Sequence, residues 1–268
     1  MRGRLSPTGC RRRCTVSLGR RVIGPGWVGP PRAVARGWLR ELTPARRERW
    51  ALTANLVQAR HMPAGTRVLD VGCADGLLTA RLAAARPRWR MAGLDLSAEA
   101  IALAVQQRQR LGVGNLELVR ADATRLPAPS GSADLVLALE CLAEIPDDAA
   151  VATELARVLR PGGLLVIHVP HADWVPVLSG SPRTWHREVR HGYTEHSVCA
   201  LLQAAGLRIT SVRGSMRTPV MLTQEVVNRT ASPVMRLALY PLAAGVVRVA
   251  AGRLAFGPAR GLLVTATR

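Results

Sequence analysis

Val68-Leu69-Asp70-Val71-Gly72-Cys73-Ala74-Asp75-Gly76, with Leu77-Leu78-Thr79-Ala80 directly behind it, decides the fold. An apolar strand runs into a turn bearing two glycines, and a helix starts at once. Glycine lets the backbone come close to a ligand, and the first turn of a helix presents N–H groups that have no partner of their own. Taken alone, the stretch fits a nucleotide-type cofactor or an ordinary strand-to-helix turn. Its neighbours have to separate the two.

Outward from this turn, short apolar runs alternate with longer helical stretches, the pattern of βαβ units and a parallel sheet. Strands are expected at Arg67–Val71, Arg90–Leu94, Leu116–Arg120, Leu135–Leu139, Leu164–Val169, Leu207–Val212 and Leu262–Thr267. Several are almost continuously apolar, as strands buried on both faces must be. Helices are expected at 44–61, 77–86, 98–111, 147–159 and 194–205. Pro44 suits a first helical position and Ser97 an N-cap. Arg160-Pro161-Gly162-Gly163 reads as the turn that ends one helix and opens the fifth strand. Residues 215–258 read as an insertion before the last strand, with a helix at about 233–254.

Acids recur where these strands end. Asp95 closes the second strand, Asp122 follows the third and Glu140 follows the fourth. An acid after the second strand can accept hydrogen bonds from both ribose hydroxyls, and one after the third can accept from an adenine amine. Each alone also suits a solvated or turn-forming side chain. In an open parallel sheet, however, ligands bind outside the carboxyl ends of the strands. Four successive strand ends carrying acids or glycine turns therefore converge on one edge.

Composition bounds the rest. The 268 residues carry 37 basic and 18 acidic side chains, a net charge of +19. Residues 1–49 hold 13 Arg against 2 acids, 50–170 hold 12 against 12, and 171–268 hold 12 against 4, with no Lys anywhere. The basic ends leave open a polyanionic partner, nucleic acid or an anionic membrane, but the block that carries the motifs is neutral. Residues 1–43, rich in Arg, Gly and Pro, read as a mobile leader, and 44–268 as the catalytic domain. The five Cys form no CxxC pair, which argues against a disulfide framework or a metal site and fits free thiols in the cytoplasm. The longest apolar stretch, Leu237 to Val247, is too short to span a bilayer, which needs roughly 20 residues. As part of a basic amphipathic helix at 233–254 it would suit peripheral membrane contact or a cover over a lipophilic substrate.

Asp70-Val71-Gly72-Cys73-Ala74-Asp75-Gly76, Leu94-Asp95-Leu96-Ser97, Ala121-Asp122-Ala123 and Leu159-Arg160-Pro161-Gly162-Gly163 together resemble the ordered motifs of class I S-adenosylmethionine-dependent methyltransferases. The nearest resemblance is to the bacterial small-molecule branch that includes the ubiquinone and menaquinone methyltransferases. It implies a Rossmann-like α/β fold, a mostly parallel seven-stranded sheet with helices on both faces, its last strand antiparallel between the fifth and sixth. It also implies a cofactor, S-adenosyl-L-methionine. Gly72, Ala74 and Gly76 would wrap its methionine part, with Asp70 supporting the turn. Asp95 would take the ribose, Leu96 would pack on the adenine, and Asp122 with the Ala123 backbone would hold its amine. Ala74 stands where the family most often has Gly, and a Cβ there is tolerable if φ stays negative. Glu144 stands where many relatives carry His.

Methyl transfer from a sulfonium is an in-line displacement on an activated donor, so orientation can supply much of the catalysis. A base is needed only if the nucleophile must lose a proton. Glu140, Glu144 and His171 are the candidates. His168, inside the fifth strand, reads as a packing residue. The favoured function is methyl transfer to an O, N or C atom of a small or lipophilic metabolite. A nucleic-acid methyltransferase gripping phosphate with the Arg-rich leader and a noncatalytic binding scaffold are the alternatives.

Overall fold

Alternation of apolar side chains builds the sheet. Leu135 and Leu137 of β4 (Ala133–Leu139) face one apolar layer, and Val136 and Ala138 face the other. β5 (Leu159–Pro170) repeats the pattern, with Leu165, Ile167 and Val169 on one side and Leu164 and Val166 on the other. Strands that bury both faces need helices on both, which the alternating elements supply.

The computed structural model describes residues 43–180, 189–230 and 257–268, together with 235, 239, 241–242 and 245–246. In chain order the remaining elements are α1 (Pro44–Ala59), β1 (Arg67–Val71), α2 (Leu77–Ala85), β2 (Arg90–Asp95), α3 (Ala98–Arg110), β3 (Leu116–Arg120), α4 (Asp148–Val158), α5 (Glu195–Ala204), β6 (Arg208–Ser215), α6 (Thr218–Arg229) and β7 (Gly261–Thr267). The sheet order is β3-β2-β1-β4-β5-β7-β6. β1 to β5 run parallel, and β7 lies antiparallel to both β5 and β6, the arrangement the resemblance implies.

Local chemistry sets the helix starts. Ser97 caps α3 by accepting from the Ala100 amide at 3.2 Å, Asp147 caps α4 through the Ala150 amide at 2.9 Å, and Thr194 with Ser197 forms a reciprocal capping box on α5.

The largest departures from the sequence expectation are at β5, at β6 and in the segment after β6. β5 begins at Leu159, because Leu159 already pairs with Ala133 and the Gly162 amide donates to the Arg268 carbonyl at 3.0 Å. The Pro-Gly-Gly turn is thereby absorbed into an irregular strand start. β6 extends to Ser215, drawn out by its antiparallel register with β7. The segment read as an insertion opens with α6, a helix the sequence reading passed over; it packs on α1 and buries Val220, Met221, Gln224 and Glu225. Residues 1–42 and most of the expected helix at 233–254 lie outside the described residues. Among the described residues, no helix is long and apolar enough to cross a membrane.

Candidate cofactor and acceptor site

The turn after β1 is tied to the end of β2. The Gly72 and Cys73 amides donate to the Leu94 carbonyl at 2.8 and 2.9 Å, and the Ala74 amide donates to Asp95 Oδ2 at 2.8 Å. Gly72 (φ +72°) and Gly76 (φ +67°) need glycine twice over, for the left-handed backbone and because a Cβ would run into Cys141 and Ala104. Asp70 lies buried beneath the turn and accepts from the Thr79 hydroxyl. Burial pushes its carboxyl up to about 7, against the lowering influence of Thr79.

Ala74 corrects an expectation. Its φ is +50°, not negative. The hydrogen bond to Asp95 holds it there, and the left-handed conformation costs an L-residue about 1–2 kcal/mol.

Asp95 is the hinge of this half of the site. Its Oδ1 accepts from the Ser97 amide at 2.9 Å while Oδ2 takes Ala74. One lone pair on each oxygen remains for a ligand. Leu96, next to it, is 62% exposed, an apolar platform at the strand edge. Asp122 accepts from the Thr124 amide and hydroxyl at 2.9 and 2.8 Å through Oδ1, and these bonds hold its carboxyl below the ordinary range. Ala123 is half-buried beside it against the core. Two carboxylates with an exposed leucine beside the first thus follow one another along the edge, groups that could hold the hydroxyls, ring and amine of a nucleoside-bearing cofactor.

The other half is built at long range. Glu140, with φ +66°, ends β4, and its amide donates to the His168 carbonyl at 2.8 Å. Its Oε1 pairs with Nδ1 of His168 and lies 3.3 Å from the Arg49 guanidinium. His168 is fully buried, and its Nε2 stands 2.6 Å from the Ser215 hydroxyl. Gly261 of β7 passes so close that any side chain there would meet both His168 and Ser215. Burial alone would raise the Glu140 carboxyl, but Arg49, His168 and Arg260 hold it well below the usual carboxylate range. Burial pushes the His168 imidazole down, despite Glu140.

Glu144 lies exposed on a single 3-10 turn, Leu142–Glu144. His171 follows β5. Its amide donates to the Arg260 carbonyl at 2.6 Å, and its Nδ1 accepts from the Asp173 amide at 3.1 Å. Glu140 and His171 share no hydrogen bond or ion pair among the described residues. Burial pushes the Cys73 and Cys141 thiols up, so neither is a nucleophile. Among the described residues, no group of three His, Cys, Asp or Glu side chains could hold a metal.

Two residues escaped the sequence reading. Arg46 grips Asp75 in the glycine turn through bonds of 2.9 and 2.6 Å, and Arg49 reaches Glu140. Their i, i+3 spacing on α1 was the available signal, obscured by the run of arginines before it. The sequence places His168 in core packing, and nothing near it in the chain marks the pair with Glu140.

The sheet order, the glycine turn and the aligned acids define a class I methyltransferase fold. Residues 68–163 match the family described as "Methyltransferase domain". The chain is similar to "Ubiquinone biosynthesis O-methyltransferase" from Xanthomonas axonopodis pv. citri, 29% identical over 195 residues, covering 69% of this chain and 80% of the relative. It is also similar to "27-O-demethylrifamycin SV methyltransferase" from Amycolatopsis mediterranei, 37% identical over 117 residues, 43% of each chain. The solved "[4+2]-Cyclase SpnF" shares the fold at a TM-score of 0.60 and 24% identity, covering 82% of this chain and 81% of that one. Residues 68–163 thus carry a methyltransferase domain, on a chain similar over most of its length to a named methyltransferase.

Proposed function

We propose that the protein transfers a methyl group to an oxygen, nitrogen or carbon atom of a small or lipophilic acceptor. The observation that carries this reading is the orientation of Asp95 by the Ala74 and Ser97 amides, beside exposed Leu96 and at the mouth of the glycine turn. The relatives named for ubiquinone and rifamycin methylation support the acceptor class.

In this reading Gly72, Ala74 and Gly76 hold the methionine part of the cofactor over Asp70. Asp95 takes the ribose hydroxyls, Leu96 covers the adenine, and Asp122 with Ala123 takes its amine. S-adenosyl-L-methionine, when bound, supplies an activated methyl group on a sulfonium. The chain's work is then to orient the acceptor and receive any proton it sheds.

The three candidate groups divide this work unequally. Glu140, held ionised by Arg49 and His168, is too weak a base to deprotonate an acceptor beforehand. It serves as a fixed hydrogen-bond acceptor that orients an O–H or N–H. His171 has its Nδ1 lone pair engaged by Asp173, so the neutral ring carries its proton on Nε2 and donates there. Glu144, exposed on the turn after β4, is the candidate to take up a proton that the acceptor sheds.

Calorimetric titration with S-adenosylhomocysteine tests the cofactor half. The wild type binds, and Asp95→Ala binds about 100-fold more weakly, the loss of roughly two charge-assisted hydrogen bonds. A folded wild type that takes up no ligand refutes the reading.

A further inference from the structure

Helix α1 presents two stripes. Arg46 and Arg49 reach into the cleft, onto Asp75 and Glu140. Ala45 and Glu48, one position back around the helix, face α6 and the residues leading into it. The Ala45 amide donates to Gln224 Oε1 at 3.1 Å, and Ala45 packs with Trp174, Met216 and Met221. Glu48 is only 6% exposed. Its carboxyl takes a hydrogen bond from the backbone of Met216, whose φ is +50°. Its Oε2 has no hydrogen-bond partner, and Glu48 makes no ion pair among the described residues.

The charged groups that face Glu48 are Arg49 on its own helix and Arg217 just before α6. From α6 itself comes neutral Gln224. An ionised carboxylate so enclosed loses its hydration and gains no paired cation in return. Burial, opposed by Met216, Arg217 and Arg49, pushes its carboxyl up to about 7.

We propose that the seating of α1 over the cofactor cleft is proton-linked through Glu48. The protonated side chain lets α1 lie against α6, which sets Arg46 and Arg49 on Asp75 and Glu140; ionisation loosens that contact and the two clasps with it. The sign follows from the direction of the shift. A carboxyl that is harder to ionise in the seated state binds its proton there more tightly, so seating is favoured at low pH. It weakens as pH rises from the ordinary carboxylate value near 4.5 and levels off once pH has passed about 7. The inference rests on the cleft being the cofactor site. Asp70 titrates in the same window, but it lies under the glycine turn and not against α1, so a change at Glu48 separates the two.

The test is calorimetric titration of full-length protein with S-adenosylhomocysteine at pH 6.0 and 8.5, for the wild type and Glu48→Gln. Wild-type affinity is expected to fall about tenfold between the two, while the variant changes by less than about threefold and keeps the tighter value at pH 8.5. Hydrogen exchange of the 44–59 amides should follow, with α1 in Glu48→Gln as protected at pH 8.5 as wild-type α1 is at pH 6.0. A wild type that binds equally at both pH values, or a folded variant that keeps a threefold or greater fall, overturns the proposal. A folded wild type that does not bind at either pH overturns the cofactor reading instead.

Discussion

The two halves of the sheet edge are built on different scales. Around β1 to β3 most polar contacts are short in sequence, Asp95 to Ser97, Asp122 to Thr124 and Asp70 to Thr79, with Asp95 to Ala74 and Arg46 to Asp75 as the longer ties. Around β4 to β7 the partners are remote. Glu140 meets Arg49 and His168, and His168 meets Ser215. The first half makes its ligand surface from backbone amides and single acids. The second half commits its carboxylate to a buried imidazole and a guanidinium before any ligand arrives.

The sharpest way to break the first half is Gly72→Ala. Both the left-handed backbone and the contact with Cys141 oppose a Cβ. A loss of about 3–5 kcal/mol in urea unfolding is expected, with no measurable S-adenosylhomocysteine binding. In the second half, Arg49→Met takes from Glu140 its contact with a guanidinium and leaves it the His168 pair and the more distant Arg260 charge. About 2 kcal/mol should be lost, and a double-mutant cycle with Glu140→Gln should recover part of it. Additive losses would mean the pair does not act as a unit. The smallest effect should come from Ala74→Gly, which removes the strain at φ +50°. It should raise unfolding stability by up to about 1 kcal/mol and tighten S-adenosylhomocysteine binding slightly; a destabilised variant would mean the turn tolerates its Cβ without cost.

The same difference in scale explains what could be read in the residues. The strands and the acids at their ends were legible because periodicity and turn chemistry are local signals, whereas the place of the last strand came only from the resemblance. The capping serine of α3 was legible in the same local way. Ala74 was misjudged because backbone sign depends on what the amide can reach, and its partner lies 21 residues away. His168 looked like core because in a strand of Leu, Val and Ile a buried histidine and a buried apolar residue occupy the same register position. Its meaning comes from Glu140 and Ser215, brought together by three different strands. Arg49 and Glu48 stood in a helix of low apolar content after an arginine-rich stretch, where no period distinguishes the residues that face the cleft from those that face α6. α6 went unread because its apolar stripe begins at Val220 inside what looked like a break in the alternating pattern.

β7 sits between β5 and β6 although it follows both in the chain, and every one of its residues is buried. During synthesis β1 to β5 can pair in the order in which they appear, each strand finding its neighbour already in place. β6 cannot: it must wait beside a gap until residues 261–267 have been made and have cleared the ribosome. Until then β5 presents an unpaired inner edge of Leu, Val and Ile, the kind of surface that recruits chaperones or a second chain. The vulnerable interval for this protein in the cell therefore runs from the emergence of β5 until β7 has been made and has cleared the ribosome.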